Sequence, residues 1–164
     1  QRKSREKAVA RADAAPLVSA HRDTLEEYYL CLLLRYPDLG ERDLGLSSNH
    51  FELSENREIF TKWADCSTMD EVQENLPADL AEHLENVLAV ESRPLDRRER
   101  EQGLTDVGNR LKERLLKAQE QVLMEQLEGA DWKDISSLEP AIGQAQEINQ
   151  RLRELFAGTK STGQ

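Results

Sequence analysis

Cysteine, aromatic residues and long apolar runs are all scarce in this sequence. The two cysteines, Cys31 and Cys66, are too few for a disulfide framework or a metal knuckle. His21, His50 and His83 stand at no ligand spacing, so neither a metal site nor any other cofactor is expected. Aromatics make up 5% of the chain, and strand formers are sparse, which argues against a sheet. The longest apolar run, Leu30 to Leu34, falls far short of the roughly 20 residues that span a bilayer. No signal peptide is visible, and a reducing cytoplasm suits both thiols. Without a strand there is no strand-linked glycine loop for phosphates, and no nucleophile elbow or Ser/His/Asp constellation is recognisable. No active site is expected in this chain.

What remains is charge and helix-forming residues. Charged side chains make up 33% and the net charge is −10. Residues 1–22 carry six basic against two acidic side chains, +4, so the remainder is −14. So acidic a body repels a phosphate backbone, and no direct nucleic-acid site is expected. Acidic pairs such as Glu26-Glu27 and Glu82 with Glu85 read as solvated helix faces.

Asp23-Thr24 is a plausible N-cap, and Leu25, Tyr28, Tyr29, Leu32 and Leu33 follow at the spacing of one buried helical face. Leu30, Cys31 and Leu34 widen it, and Pro37 stops it. A short helix is expected over Leu39–Leu46. The next has Ser54 as its cap, Ile59, Phe60 and Trp63 as its apolar face, and ends near Asp65. Ser67 and Thr68 open a brief helix with Met69 and Val72, and Pro77 precedes one carrying Leu80, Leu84, Val87 and Leu88.

After Pro94 the character changes. Leu104, Val107, Leu111, Leu115, Ala118 and Val122 recur at a mean step of about 3.6 residues, one nearly straight face on a helix from Leu95 to about Glu128. Gly129 opens a turn that ends near Ser137. The last helix carries Leu138, Ile142, Ala145, Ile148, Leu152, Leu155 and Phe156, with Gly158 as its stop. The expected fold is all-α, a helical bundle followed by a long antiparallel helical hairpin. Its parts are a linker, partly helical or disordered (1–22), the bundle (23–92), the hairpin (93–158) and a disordered tail (159–164). The chain starts at Gln1 rather than Met, as expected of a segment of a longer protein.

Two segments carry a family likeness. One runs from Leu25 through Tyr36-Pro37-Asp38-Leu39, the other from Asn49-His50-Phe51 through Asn56-Arg57-Glu58-Ile59-Phe60. Together they resemble the helical domain at the C-terminus of bacterial DNA primases (DnaG type), which also occurs at the N-terminus of replicative helicases (DnaB type). The stretches Pro94–Glu101, Arg110–Lys117 and Gln146–Leu155 look like the terminal part of some primases, although this hairpin is longer than in the better-known ones. The basic linker before the bundle favours a primase. The alternatives are the N-terminal oligomerisation domain of a helicase or an unrelated helical adaptor.

The resemblance implies a helicase-binding module of the primosome. It would dock a primase, a DNA-directed RNA polymerase, onto the replicative helicase for primer synthesis. A single-stranded-DNA-binding protein is a second implied partner. Ile148, Leu152, Leu155 and Phe156, near the end of the last helix, are the candidate contacts, with Arg151 and Arg153 as rim charges.

Overall fold

The computed structural model describes residues 22–41, 44–90, 93–130 and 132–160. The linker expected over 1–22 lies outside these but for Arg22, as does residues 161–164 of the expected tail. Among the described residues the fold is all-α. Its six helices are α1 (Thr24–Arg35), α2 (Ser54–Asp65), α3 (Met69–Asn75), α4 (Ala81–Leu88), α5 (Arg97–Glu128) and α6 (Ile135–Lys160).

Helix α1 is the centre of the bundle. Asp23 caps it, its carboxylate accepting from the amides of Leu25 (3.1 Å) and Glu26 (3.0 Å), two of the donors a helix start leaves open. Tyr29 and every residue from Leu30 to Leu34 are buried, because α2, α4 and α5 pack around this helix. Pro37 restricts the preceding residue, and α1 ends at Arg35. A 3₁₀ helix, Pro37–Glu41, follows. The helix expected over 39–46 does not form: Leu44 to Ser47 are non-helical, and Gly45 takes φ 63°, a left-handed turn that breaks a helix.

Aromatic rings extend the core from α1 across α2. Tyr29, Phe51, Phe60 and Trp63 are spaced 6.1, 4.8 and 5.8 Å between successive ring centres. Phe51 and Ile59 are fully buried and Phe60 nearly so, as their place in the motif predicts. Cys31 lies in the same core.

Helix α5 starts with a capping box: Asp96 accepts from the Glu99 amide (2.8 Å), and Glu99 accepts from the Asp96 amide (3.0 Å). The Arg100 guanidinium lies 3.9 Å from the centre of the Tyr36 ring, which joins the Tyr36-Pro37 turn to the start of α5. Leu104, Val107 and Leu111 then enter the core built around α1. The first half of α5 thus shares the core of α1. Gly108 sits at this crossing. A Cβ there would come within 3.2 Å of Leu46 and 3.4 Å of Tyr29, so the helix accepts a glycine, at up to about 1 kcal/mol relative to alanine, in return for close approach.

The second half of α5 turns a different side to its partner. Leu123, Ile148 and Leu152 form a separate buried cluster with Leu116, Ala141 and Ala145. Leu116 and Leu123 lie roughly 100–140° around the helix from Leu104 and Leu111, at about 100° per residue. The straight face expected to run to Val122 is therefore not covered throughout: Ala118 is exposed and Val122 is 53% exposed. Residues 118–126 face 144–151, while 106–113 face 155–156, so α5 and α6 run in opposite directions. Gly158 does not stop α6, which continues to Lys160. Glycine ends a helix by taking a left-handed conformation, and the one described glycine with positive φ is Gly45.

Candidate interaction surface

Two features of this fold bear on function, a buried polar junction and an uncovered apolar surface. The junction forms where α1, α2, α4 and α5 meet. Glu26 and Glu27 are buried, at 0% and 1% exposure, so their expected place on a solvated face is overturned. The reason lies in distant partners. Glu26 accepts from the amides of Glu52 and Leu53, from Asn56 Nδ2 (2.8 Å) and from Arg114. It thereby occupies the N-terminus of α2, where the helix dipole favours an anion. The expected cap, Ser54, makes no such bond; its hydroxyl donates to Glu55 (2.8 Å). Glu27 is held by Arg22 (2.7 Å).

Arg114 binds Asp23 (2.5 Å) and Glu52 (3.3 Å) as well as Glu26. Burial works against its charge, but the bond to Asp23 and the fields of Asp23, Glu26 and Glu52 outweigh this and raise its pKa. Asn56 Oδ1 lies 2.7 Å from His83 Nε2 on α4. With Asn56 Nδ2 committed to Glu26, Oδ1 is the acceptor and the His83 ring donates. Arg57 donates to the Phe51 carbonyl (2.9 Å). The Asn56-Arg57 pair of the motif is therefore a fastening: Asn56 joins α2 to α1 and α4, and Arg57 holds the segment at Phe51. Among the described residues no buried side-chain nitrogen or oxygen lacks a partner. Such a satisfied network fixes the relation of four helices. Among the described residues no His, Cys, Asp and Glu side chains are grouped to hold a metal, and no helix is long and apolar enough to cross a membrane.

The uncovered apolar surface lies elsewhere. Among the described residues the large exposed apolar side chains are Val122, Met124, Trp132, Ile135, Ile142 and Phe156, all on α5, α6 or the turn between them. Trp132 (62% exposed) and Ile135 (68%) mark the far end of the pair. Of the contacts expected on α6, Ile148 and Leu152 are buried against Leu123. These two are not part of an open strip, because the α5–α6 seam uses them. Leu155 is half-buried and Phe156 is 44% exposed. Phe156 faces Asp106 and Arg110. Arg151 pairs with Glu147 at 2.5 Å.

Trp132 and Ile135 escaped notice because they sit among turn residues, outside any periodic stripe. The signal available was their size: a turn flanked by Gly129 and Asp134 has no core of its own to fill with a tryptophan.

No family model, no curated protein and no solved structure matches the chain.

Proposed function

We propose that this chain is the protein-interaction module of a bacterial DNA primase and docks that enzyme onto the hexameric replicative helicase during primer synthesis. One observation carries the docking surface: among the described residues the two most exposed large apolar side chains, Ile135 and Trp132, lie together at the far end of the α5–α6 pair. An acidic chain with its leftover apolar area confined to one helical pair suits protein recognition better than nucleic-acid binding. The bundle acts as the rigid base, held by the Glu26–Arg114 junction, and the end bearing Trp132 and Ile135 supplies the grip. The replication assignment is supported by the primase-like segments. Leu25–Leu39, Asn49–Phe60 and Arg110–Lys117 supply Glu26, Asn56 and Arg114 to a single network.

In this reading the chain performs no chemistry, needs no cofactor and acts in the cytoplasm. Its effect is to raise the local concentration of the priming enzyme on newly unwound strand. Mixing the chain with the replicative helicase of the same organism should give a co-eluting complex at micromolar concentration. Trp132→Ala with Ile135→Ala should weaken it at least about tenfold, the scale of a lost interface anchor. Absence of a complex, or an unchanged affinity in the double variant, would sink the assignment of this surface.

A further inference from the structure

A groove runs along one side of the α5–α6 seam, distinct from the end assigned above to the helicase. It consists of two adjoining cavities of about 520 and 440 Å³ that share Gln119 and Arg151. One end lies at Gln126 and Gln144, the other at Lys112, Gly45 and His50. From Lys112 to Gln126 it follows α5 for roughly 21 Å, about four helical turns.

The floor of this groove continues an interface already in place. Leu115, Ala118 and Val122 lie within roughly 40° of Leu111 around α5, at about 100° per residue. Helix α1 covers this face at Leu104, Val107 and Leu111. Beyond that point no helix among the described residues lies over the same face, which runs on through half-buried Leu115 to Val122 at 53% exposure. Helix α6 leaves it open because it packs on the neighbouring side, through Leu116 and Leu123. The vacant position is thus flanked by α6 and the loop at Gly45, in the same relation to α5 that α1 has further up.

Charge narrows the occupant. The groove's charged side chains are Lys112, Glu147, Arg151 and Glu154, which sum to zero in a chain of net charge −10. Glu147 and Arg151 bind each other. Lys112 has no ion-pair partner among the described residues; burial lowers the pKa of nearby His50, the Ser47 hydrogen bond opposes this, and the charge of Lys112 adds to the lowering. A second copy of the chain would bring another −10 against this surface, which disfavours it.

We propose that this groove binds an amphipathic α-helix of about four turns from another protein. That helix is apolar on the side facing Leu115 and Val122, carries one carboxylate where it passes Lys112, and is neutral or basic elsewhere.

The test uses the full chain and fluorescent synthetic peptides of about 16 residues with leucines at helical spacing on an otherwise Gln- and Lys-based sequence. Two carry a single Asp, in the first or the last turn, and the control is a scramble of the same composition. Fluorescence anisotropy should show one Asp peptide binding at least about tenfold more tightly than the scramble. Val122→Glu, at a site open enough to leave folding intact by circular dichroism, should abolish that preference. Lys112→Glu should weaken the Asp peptide about tenfold and strengthen its Asp→Lys counterpart. Equal binding of peptide and scramble, or no response to either variant, overturns the proposal. So does a Val122-dependent dimer of the chain alone in sedimentation, which would assign the groove to a second copy. Val122→Glu should leave helicase co-elution intact, so failure here and failure of the docking assignment are told apart.

Discussion

The carboxylate of Glu26 and the guanidinium of Arg114 are 88 positions apart in the chain and bound to each other inside the fold. Glu26 is wholly buried, and Arg114 is 26% exposed. Their contact ties α5 to the start of α1 and, through the Glu52 and Leu53 amides, to the start of α2. The orientation of the long helix on the bundle is thus set by a charge pair as well as by leucines.

Removing one member of such a pair leaves the other buried without its counter-charge. Arg114→Met should lower unfolding stability by about 3–5 kcal/mol, measured in urea. Arg97→Met removes an exposed ion pair with Glu101 at 3.1 Å and should change it by less than about 0.5 kcal/mol. Adding Glu26→Gln to Arg114→Met should cost less than the two single losses combined, because the stranded charge is gone. Strict additivity would show that the pair is not coupled.

How much of this was legible beforehand depends on the distance over which each residue finds its partner. The α1 stripe, the Asp23 cap and the stop at Pro37 are local, and all three are where the sequence places them. Phe51, Ile59 and Phe60 could be assigned to the core because an aromatic-rich motif has few other places to go. The burial of Glu26 was not legible, since a glutamate in a first turn looks the same whether it faces water or an arginine 88 residues on. The phase change on α5 was hidden for a related reason. A single period describes a helix with one partner, whereas this one meets α1 with Leu111 and α6 with Leu116. That same misreading concealed the open face at Val122.

Tyr29 makes stability depend on alkaline pH. Its side chain is buried in the bundle, and burial disfavours the phenolate, which pushes its pKa from 10.0 up to about 12. The unfolded chain therefore loses this proton first as pH rises. Between about pH 10 and 12 the unfolded state holds fewer protons than the folded one, so stability falls with pH. The contribution is whole below pH 10 and gone above 12, a loss of about 2–3 kcal/mol at two pKa units. Urea unfolding at pH 9 and pH 11.5 should show the decline, and Tyr29→Phe should reduce it. An equal decline in that variant would assign it to other groups.

The two thiols should differ in reactivity. Cys31 is 1% exposed, and burial raises its pKa, with Arg35 opposing. Reaction needs an accessible thiolate, and Cys31 offers neither access nor charge. Cys66 is half-buried at the end of α2, with Asn75 Nδ2 3.7 Å from its sulfur. A thiol-specific chromogenic disulfide should label one cysteine per folded chain, at Cys66, and both in denaturant. Rapid labelling of Cys31 in the folded state would mean that the bundle opens around α1.

The division of α5 between two partners predicts two kinds of response to the same chemical change. Leu104 is fully buried in the core shared with α1, so Leu104→Ala should cost about 2–5 kcal/mol of global stability, the range for truncating a core leucine. Leu123 is 7% exposed, in a cluster whose other buried members are Ile148 and Leu152. Helix α6 makes its extensive contacts with α5, so little else holds it. Leu123→Ala should therefore loosen α6 and leave the bundle folded. Hydrogen exchange should report this as faster exchange of amides in 141–156 with those of α1 unchanged, whereas Leu104→Ala should speed exchange in both. If Leu123→Ala instead destabilises α1 amides as strongly as Leu104→Ala does, then the two clusters unfold as one unit. The long helix would then be transmitting strain between them, and the end bearing Trp132 and Ile135 could not move independently of the bundle.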